Sequence, residues 1–273
     1  AYEQQLFVRI ESLTNGECVS VGEYVRLKVN PLPEFEVPVG AIYCQNLEPI
    51  TLSVSRAQDV YAYEWKDENG TLISTRETVE IVSGGTYSVT GTSALNCVSK
   101  VRIVEVEESS IASISQDDIE VVDGGEINSI KIDNSNLGIG DYEYALDSQF
   151  GPYQEESFFD GVLPGIHTLY IRDKNGCGIE QIKVSVIGYP KFFTPNGDGY
   201  NDTWQVQGVS FQPKSNIYIY NKFGTLLAQL DARDEEGWFG TYKGRQLPSS
   251  DYWYRVELED GRVHTGHFSL IRR

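Results

Sequence analysis

Oxygen-bearing side chains are densest in residues 192–204, FFTPNGDGYNDTW. Asn196, Asp198 and Asp202 offer amide or carboxylate oxygens at closely spaced positions of this stretch. Hard cations such as calcium are bound by several oxygen ligands from one short loop. The stretch is therefore a candidate calcium loop.

Two neighbouring residues argue against an EF-hand. Tyr200 stands between the candidate ligands, and Gln207 occupies the position where an EF-hand needs its bidentate glutamate. The other interpretation is a pair of turns made by Asn-Gly and Asp-Gly, with Asn201 and Asp202 capping backbone groups. The sequence favours the turns. It predicts no cofactor, and calcium is the alternative that it leaves open.

Other arrangements that could do chemistry are weak. His264 and His267 are three residues apart, and such residues point to opposite faces of a strand, so they are not expected to share a metal. The sequence has no GxSxG, HExxH, P-loop or GxGxxG motif. Acidic pairs at 117–118 and 235–236 are expected in solvated turns. We expect no enzymatic activity.

Composition limits the classes of partner. The 273 residues carry a net charge of −18, which disfavours binding to phosphate backbones and to anionic lipid surfaces. No apolar run is long enough to span a bilayer. Methionine is absent and the first residue is Ala1. We therefore expect a processed or excised piece; if the protein is exported, its N-terminal signal lies upstream of Ala1.

Short alternating segments rich in β-branched and aromatic residues dominate the chain. Asn-Gly and Asp-Gly turn signals separate many of them, and helical periodicity is almost absent. The clearest segments are LFVRI (6–10), YVRLKV (24–29), YAYEW (61–65), VRIVEV (101–106), TLYIR (168–172), NIYIY (216–220) and DYWYRVELE (251–259). This pattern predicts an all-β protein built from sandwiches.

A repeat becomes visible when the cysteines are aligned. Gly85 opens a segment that ends at Cys97, and Gly165 opens a similar segment that ends at Cys177. A second strand follows each cysteine, and the segment around Cys18 has the same form. Strand, cysteine turn and closing strand are typical of the last hairpin of an immunoglobulin-like module.

The middle module has the order Cys44, Trp65, Cys97, which predicts a disulfide packed against a core tryptophan and hence a location outside the cytoplasm. Two unrelated thiols are the alternative. Cys18 is expected to pair with a partner upstream of the sequence. For Cys177 the sequence leaves open a free thiol or a bridge to Cys18.

Three of the four tryptophans follow Tyr189, and the turn motifs become dense there. The strand after Asp251 alternates, which predicts one core face made of Tyr252, Tyr254, Val256 and Leu258. Trp253 is on the other face. It is either an exposed anchor for a partner or packed under a loop.

Four sequence blocks in this region, taken in order, resemble the pattern of a known domain family. They are Phe193–Trp204, Ile217–Gly224, Gly237–Tyr254 and Gly266–Arg272. In this order they resemble the type B C-terminal sorting domain of the type IX secretion system of Bacteroidota, named for gliding-motility-associated surface proteins. Phe239 is a departure, because the family often has aspartate there.

The resemblance implies a compact β-sandwich of about seven strands that acts as a secretion signal, read after folding in the periplasm. It implies three partners: a PorV-like shuttle barrel, a SprA-like outer-membrane translocon and a SprF-like outer-membrane barrel. The upstream modules resemble those of SprB-like surface adhesins. Together these features imply export through the periplasm and outer membrane to the cell surface. The residues expected to form the signal are Pro195, Asn196, Gly197, Asp198, Gly199, Asn201, Asp202, Trp204, Trp238, Gly240, Asp251, Trp253, Gly266, Phe268, Leu270 and Arg272.

The expected domains are the end of a truncated immunoglobulin-like module (1–34), two further modules (35–107 and 108–188) and the sorting domain (189–273). Two other functions stay open. One is the spacer and sorting region of a secreted hydrolase whose catalytic domain lies upstream. The other is a carbohydrate- or calcium-binding sandwich that acts without export machinery. The two terminal arginines form a basic tip that could dock on an acidic barrel rim or add a strand to a partner.

Overall fold

The structure is a computed structural model that describes residues 2–7, 24–125, 127–234 and 236–272. The regular elements in these ranges are β-strands, apart from three short 3₁₀ helices. The all-β fold class predicted from the sequence is therefore confirmed. The chain forms two compact units, Ala1–Ser110 and Ile111–Arg273. Among the described residues, no helix has the length and apolar character needed to cross a membrane.

The first unit contains an antiparallel β1–β2 pair, a five-stranded sheet in the order β3-β9-β8-β5-β6 and a two-stranded sheet, β4-β7. Its strands are β1 (Tyr2–Phe7), β2 (Tyr24–Val29), β3 (Gly40–Cys44), β4 (Ile50–Ser53), β5 (Ala62–Lys66), β6 (Leu72–Ser74), β7 (Thr78–Ile81), β8 (Gly85–Thr92) and β9 (Arg102–Ser109).

The core of this unit lies between the five-stranded and two-stranded sheets. Alternate residues of the strands point inward, as the period-2 pattern predicts. Trp65 is fully buried among them, and its indole N–H donates to the backbone carbonyl of Arg76 at 3.2 Å. The prediction of a core tryptophan is confirmed.

The predicted Cys44–Cys97 disulfide is wrong. Cys97 has a free thiol, whereas Cys44 is disulfide-bonded. The topology explains the error, because β3 pairs in parallel with β9 and places Cys44 beside Ser109, at the end of β9. Cys97 precedes Arg102, the first residue of β9. From Arg102 to Ser109, β9 spans about 23 Å at about 3.3 Å per residue, so Cys97 before its start and Cys44 beside its end are beyond disulfide reach.

The second unit begins at Ile111 and contains all the remaining elements. Its strands are β10 (Ile119–Val122), β11 (Ser129–Ile132), β12 (Tyr142–Leu146), β13 (Phe158–Asp160), β14 (Gly165–Asp173), β15 (Ile179–Val186), β16 (Phe192–Phe193), β17 (Asn216–Tyr220), β18 (Leu226–Asp231), β19 (Thr241–Tyr242), β20 (Arg245–Gln246), β21 (Ser250–Glu257) and β22 (Val263–Leu270). The 3₁₀ helices are Gln116–Asp118, Asn134–Asn136 and Val209–Phe211.

Two separate hydrophobic cores divide this unit. Residues 111–186, here called the preceding module, enclose one core between the sheets β10-β11-β13 and β12-β14-β15. Residues 187–272, here called the C-terminal domain, enclose the other beneath the sheet β16-β22-β21-β17-β18, with β19-β20 as a separate hairpin. The C-terminal domain thus has seven strands in its described part. The exact domain boundaries given above stay predictions.

The strand pairs predicted from the repeat form in all three segments, and in the first of them β1 pairs with β2. β8 pairs with β9, and β14 pairs with β15. Cys177 is buried and disulfide-bonded, so the free-thiol alternative for it is wrong. Cys18 lies outside the described residues, as do the expectations that rest on it.

Candidate functional site

The loop after β16 is organised by one carboxylate. Asp202 accepts backbone hydrogen bonds from Asn196 at 2.9 Å, Gly197 at 2.7 Å and Gly199 at 2.8 Å. The N–H groups of Gly197 and Gly199 hold the pKa of Asp202 below its ordinary value. Both glycines have positive φ, 78° and 87°, which side-chain-bearing residues rarely adopt. Asp202 therefore caps the turns, as the turn interpretation predicts.

The other candidate ligands of this loop also have protein partners. Asp198 accepts from the side-chain amide of Asn196 at 2.7 Å and from the backbone N–H of Tyr200 at 2.8 Å. Asn201, expected to cap a backbone group, accepts through its backbone carbonyl from the N–H of Thr194 at 2.6 Å. Within the described ranges, no group of three or more His, Cys, Asp or Glu side chains could hold a metal ion. Calcium stays an untested alternative.

Trp204 ends this loop and is joined to Trp238 by two backbone hydrogen bonds. The distances are 3.0 Å for the Trp204 N–H and 2.8 Å for the Trp238 N–H. Both indoles are buried and both donate, Trp204 to the carbonyl of Pro190 at 2.8 Å and Trp238 to that of Thr241 at 3.0 Å. A buried indole needs such a partner for its N–H. Each tryptophan is therefore fixed in position as well as packed.

Phe268 of the last strand completes this aromatic core. It stacks on Trp204 with ring centroids 4.2 Å apart, and it meets Trp238 edge-on at 6.0 Å. Ile217 of β17 is fully buried in the same core. Each of the four sequence blocks thus contributes a buried residue to one core. The four blocks therefore share a structural role in the core of the domain.

Arg272 fastens the end of the chain to the turn around Gly240. Its guanidinium donates to the carbonyls of Leu247 at 2.9 Å, Gly240 at 3.0 Å and Phe239 at 3.3 Å. Gly240 has φ 71°, and a Cβ there would lie 3.0 Å from Leu270. The Arg272 part of the expected basic tip is therefore engaged within the domain. Arg273 lies outside the described residues.

Gly266 makes room for an aromatic ring. It faces Tyr254 across the β21–β22 pair, and a Cβ on Gly266 would lie 2.5 Å from the Tyr254 hydroxyl. The inward face predicted after Asp251 is confirmed, because its residues are all buried: Tyr252, Tyr254 and Val256 in β21, and Leu258 directly after it.

Trp253 is on the outward face of the five-stranded sheet and is 40% exposed. Of the two alternatives from the sequence, the structure favours the exposed one. It lies in a row across four strands, because His267 and Tyr220 pair with Trp253 and Leu226 pairs with Tyr220. Paired residues share a face of a sheet. We call His267, Trp253, Tyr220 and Leu226 the outward row.

The structure sorts the sixteen expected signal residues by burial. The buried ones are Trp204, Trp238, Gly240, Phe268 and Leu270; the partly buried ones are Pro195, Asp202, Gly266 and Arg272; the exposed ones are Asn196, Gly197, Asp198, Gly199, Asn201, Asp251 and Trp253. Asp251 accepts from the Ser269 hydroxyl at 2.6 Å. Nine of the sixteen are therefore buried or partly buried and shape the domain, and seven are exposed.

The histidines lie on opposite faces of β22, as predicted. His267 is exposed in the outward row. His264 is partly buried, with its ring centroid 5.3 Å from that of Tyr189. The ring of Tyr189 also stacks on that of Tyr254, a contact that the sequence did not indicate; the ring centroids are 4.9 Å apart and the ring planes differ by 13°. The blocks begin after Tyr189, so no motif pointed to it.

Sequence reasoning also missed Arg262, which contacts Asp123 of the preceding module. No local pattern could have indicated this pair, because its members are 139 residues apart.

Comparison with solved structures gives immunoglobulin and fibronectin III-like domains at low identity. The chain is similar to DIP-gamma IG1+IG2 (12% identity, 59% of this chain, 99% of that chain, TM-score 0.33). It is similar to murine CEACAM1b (9% identity, 57% of this chain, 99% of that chain, TM-score 0.36). It is also similar to fibronectin(III)-like modules of Clostridium thermocellum CbhA (16% identity, 57% of this chain, 95% of that chain, TM-score 0.29).

The comparison with curated proteins gives no match. The comparison with protein families gives a match within the C-terminal domain. The limits of the matched segment agree with those of the aromatic core, which runs from Ile187 to Leu270. Residues 187–270 match the family described as CHU_C Type IX secretion signal domain.

Proposed function

We propose that the C-terminal domain is a signal recognised in its folded form, which directs a non-enzymatic cell-surface protein through type IX secretion. The supporting observation is that four separated sequence blocks meet in one core around Trp204, Trp238 and Phe268. A linear signal does not need such an arrangement, because its residues are read in order along the chain. Residues brought together by folding form a signal only when the domain is folded.

The modules before this domain are the cargo in this proposal. Their immunoglobulin-like hairpins and acidic composition suit an adhesin-type protein that serves gliding or attachment at the cell surface, as in SprB-like proteins. Acidic surfaces keep such proteins soluble and apart from one another. The sequence contains none of the catalytic motifs considered, which supports a binding role rather than an enzymatic one.

The outward row is the surface that we assign to the secretion machinery. Residues 189–273 contain ten acidic and ten basic residues, so net charge gives a partner little to recognise. Exposed aromatic side chains are the other common source of interface energy. Trp253 and His267 supply neighbouring rings, with centroids 6.4 Å apart. The partners proposed are a PorV-like shuttle barrel, a SprA-like translocon and a SprF-like barrel.

A reporter fusion tests this function. A fluorescent protein carrying an N-terminal export signal is joined to residues 111–273, the compact unit, in a host with the type IX system and in the same host without it. We expect the reporter outside the outer membrane only in the first host. Retention in the periplasm of both hosts refutes the proposal.

The role of the outward row is tested in the same fusion. Trp253→Ala is expected to lower the exported fraction while leaving the domain folded. The matched control is Phe239→Ala, because Phe239 is also an exposed aromatic residue, 49% accessible, and is the position where this chain departs from the family pattern. Equal export of the two variants excludes the row as the recognition surface.

A further inference from the structure

The preceding module and the C-terminal domain meet without a linker. β15 ends at Val186, and Ile187 is already fully buried in the core of the C-terminal domain. Ile187 also accepts a backbone hydrogen bond from Gly124 at 3.1 Å. Flexible connections between domains are normally exposed and make few contacts. This connection is buried and hydrogen-bonded to the β10–β11 loop of the preceding module.

Asp123 in that loop holds both sides of the junction. Its side chain is fully buried. One carboxylate oxygen accepts the backbone N–H of Ile187 at 2.8 Å, and the other accepts the guanidinium of Arg262. Arg262 lies in the turn between β21 and β22, the two strands that carry Trp253 and His267. A buried carboxylate is tolerated only when it is paired and hydrogen-bonded.

Further contacts close the same surface. A Cβ on Gly124 would lie 3.2 Å from the ring of Tyr189 and 3.6 Å from that of His264, so the absence of a side chain permits the close approach. The hydroxyl of Ser185 donates to the carbonyl of Gly208 at 2.8 Å. Arg262 is also held by Asp260, which accepts from it at 2.7 Å. The preceding module thus touches the β21–β22 turn, Tyr189 and the loop at Gly208.

We propose that the preceding module is the docking partner that completes the secretion signal: Asp123 holds Arg262 and so fixes the β21–β22 hairpin in the form that is exported. This rests on the proposed function. The C-terminal domain is then presented correctly only while the module next to it is folded. Asp123 acts as a positioning residue, because it supports the hairpin from outside the C-terminal domain.

The test uses the full chain. Asp123→Asn removes the charge but keeps the side-chain shape, and Asp123→Arg combined with Arg262→Asp exchanges the charges. Thermal unfolding is followed by tryptophan fluorescence, which reports mainly on the C-terminal domain because Trp204, Trp238 and Trp253 lie there. The exported fraction is measured in a host with the type IX system. Asp231→Asn is the control, since Asp231 pairs with Arg233 at 2.8 Å on the exposed surface of the C-terminal domain.

We expect Asp123→Asn to lower both the unfolding midpoint and the exported fraction, the latter several-fold. Arg262→Asp alone is expected to do the same, and the charge exchange to recover part of the loss. The control should match the wild type. A wild-type exported fraction in Asp123→Asn overturns the inference, whether or not the midpoint falls. Failure to export the wild-type chain instead refutes the proposed function, so the two failures are distinguishable.

Discussion

Trp204 and Phe268 stack with their ring planes 14° apart and their centroids separated by 4.2 Å. Trp204 ends the first sequence block and Phe268 lies in the last one. The contact joins the entry of the C-terminal domain to its final strand. It can form only after the whole domain has been synthesised, which makes it a suitable marker of the folded signal.

Trp204→Ala should destabilise the C-terminal domain severely. The indole is fully buried and loses its stacking on Phe268 and its hydrogen bond to Pro190. Removal of a buried tryptophan typically costs about 3–5 kcal/mol. Urea unfolding of the full chain measures this loss. Phe239→Ala is the control, expected within about 0.5 kcal/mol of the wild type because its side chain is exposed.

Asp202 should make the domain more stable above pH 5 than below it. Its pKa is lowered in the folded state by backbone N–H donors, relative to about 3.9 in the unfolded chain. Its contribution is therefore complete above the unfolded pKa and is lost as the pH falls through the folded pKa. The difference in unfolding midpoint between wild type and Asp202→Asn should shrink from pH 7 to pH 2. A difference that stays constant contradicts this role.

Arg272→Lys separates an internal clamp from a charged docking tip. Lysine keeps the charge but lacks the planar fork that reaches Leu247, Gly240 and Phe239. We expect a loss of about 1–3 kcal/mol in unfolding free energy and reduced export. If the Arg272→Lys variant keeps both the stability and the export of the wild type, the positive charge alone matters. That result excludes a role for the hydrogen bonds from the guanidinium to the three carbonyls.

Deletion of Phe268–Arg273 should abolish secretion, because β22 lies between β16 and β21 and supplies Phe268 and Leu270 to the core. Circular dichroism of the purified product reports whether it still folds. Normal export of a truncated protein that is folded contradicts the prediction.

Cys97 should react with a thiol reagent in the unreduced protein, whereas Cys44 should react only after reduction. Alkylation followed by peptide mass spectrometry distinguishes them. A disulfide-linked peptide containing both Cys44 and Cys97 contradicts the topology, in which β9 separates them along its length.

Local patterns predicted local structure well. The alternation after Asp251 gave the buried and exposed faces of β21, since side-chain direction in a strand depends only on position. The turn interpretation of residues 196–202 likewise rested on neighbours in sequence. Both features are confirmed, and Asp202 acts as the cap.

Long-range pairing could not be read from the same patterns. The order Cys44, Trp65, Cys97 suggested a disulfide, but the sequence does not state that β3 lies beside β9 rather than beside β8. The contact between Asp123 and Arg262 was missed for the same reason. Both depend on topology, which decides the neighbours of residues far apart in sequence.

The central claim is that export requires the folded C-terminal domain. The exported fraction of the full-length Trp204→Ala variant tests it most directly, measured at a temperature where the variant is unfolded and the wild type is folded. Periplasmic retention of the variant, beside normal export of the wild type and of Phe239→Ala, is the predicted result. Export of the unfolded variant at the wild-type level contradicts the claim, because it shows that the signal is linear.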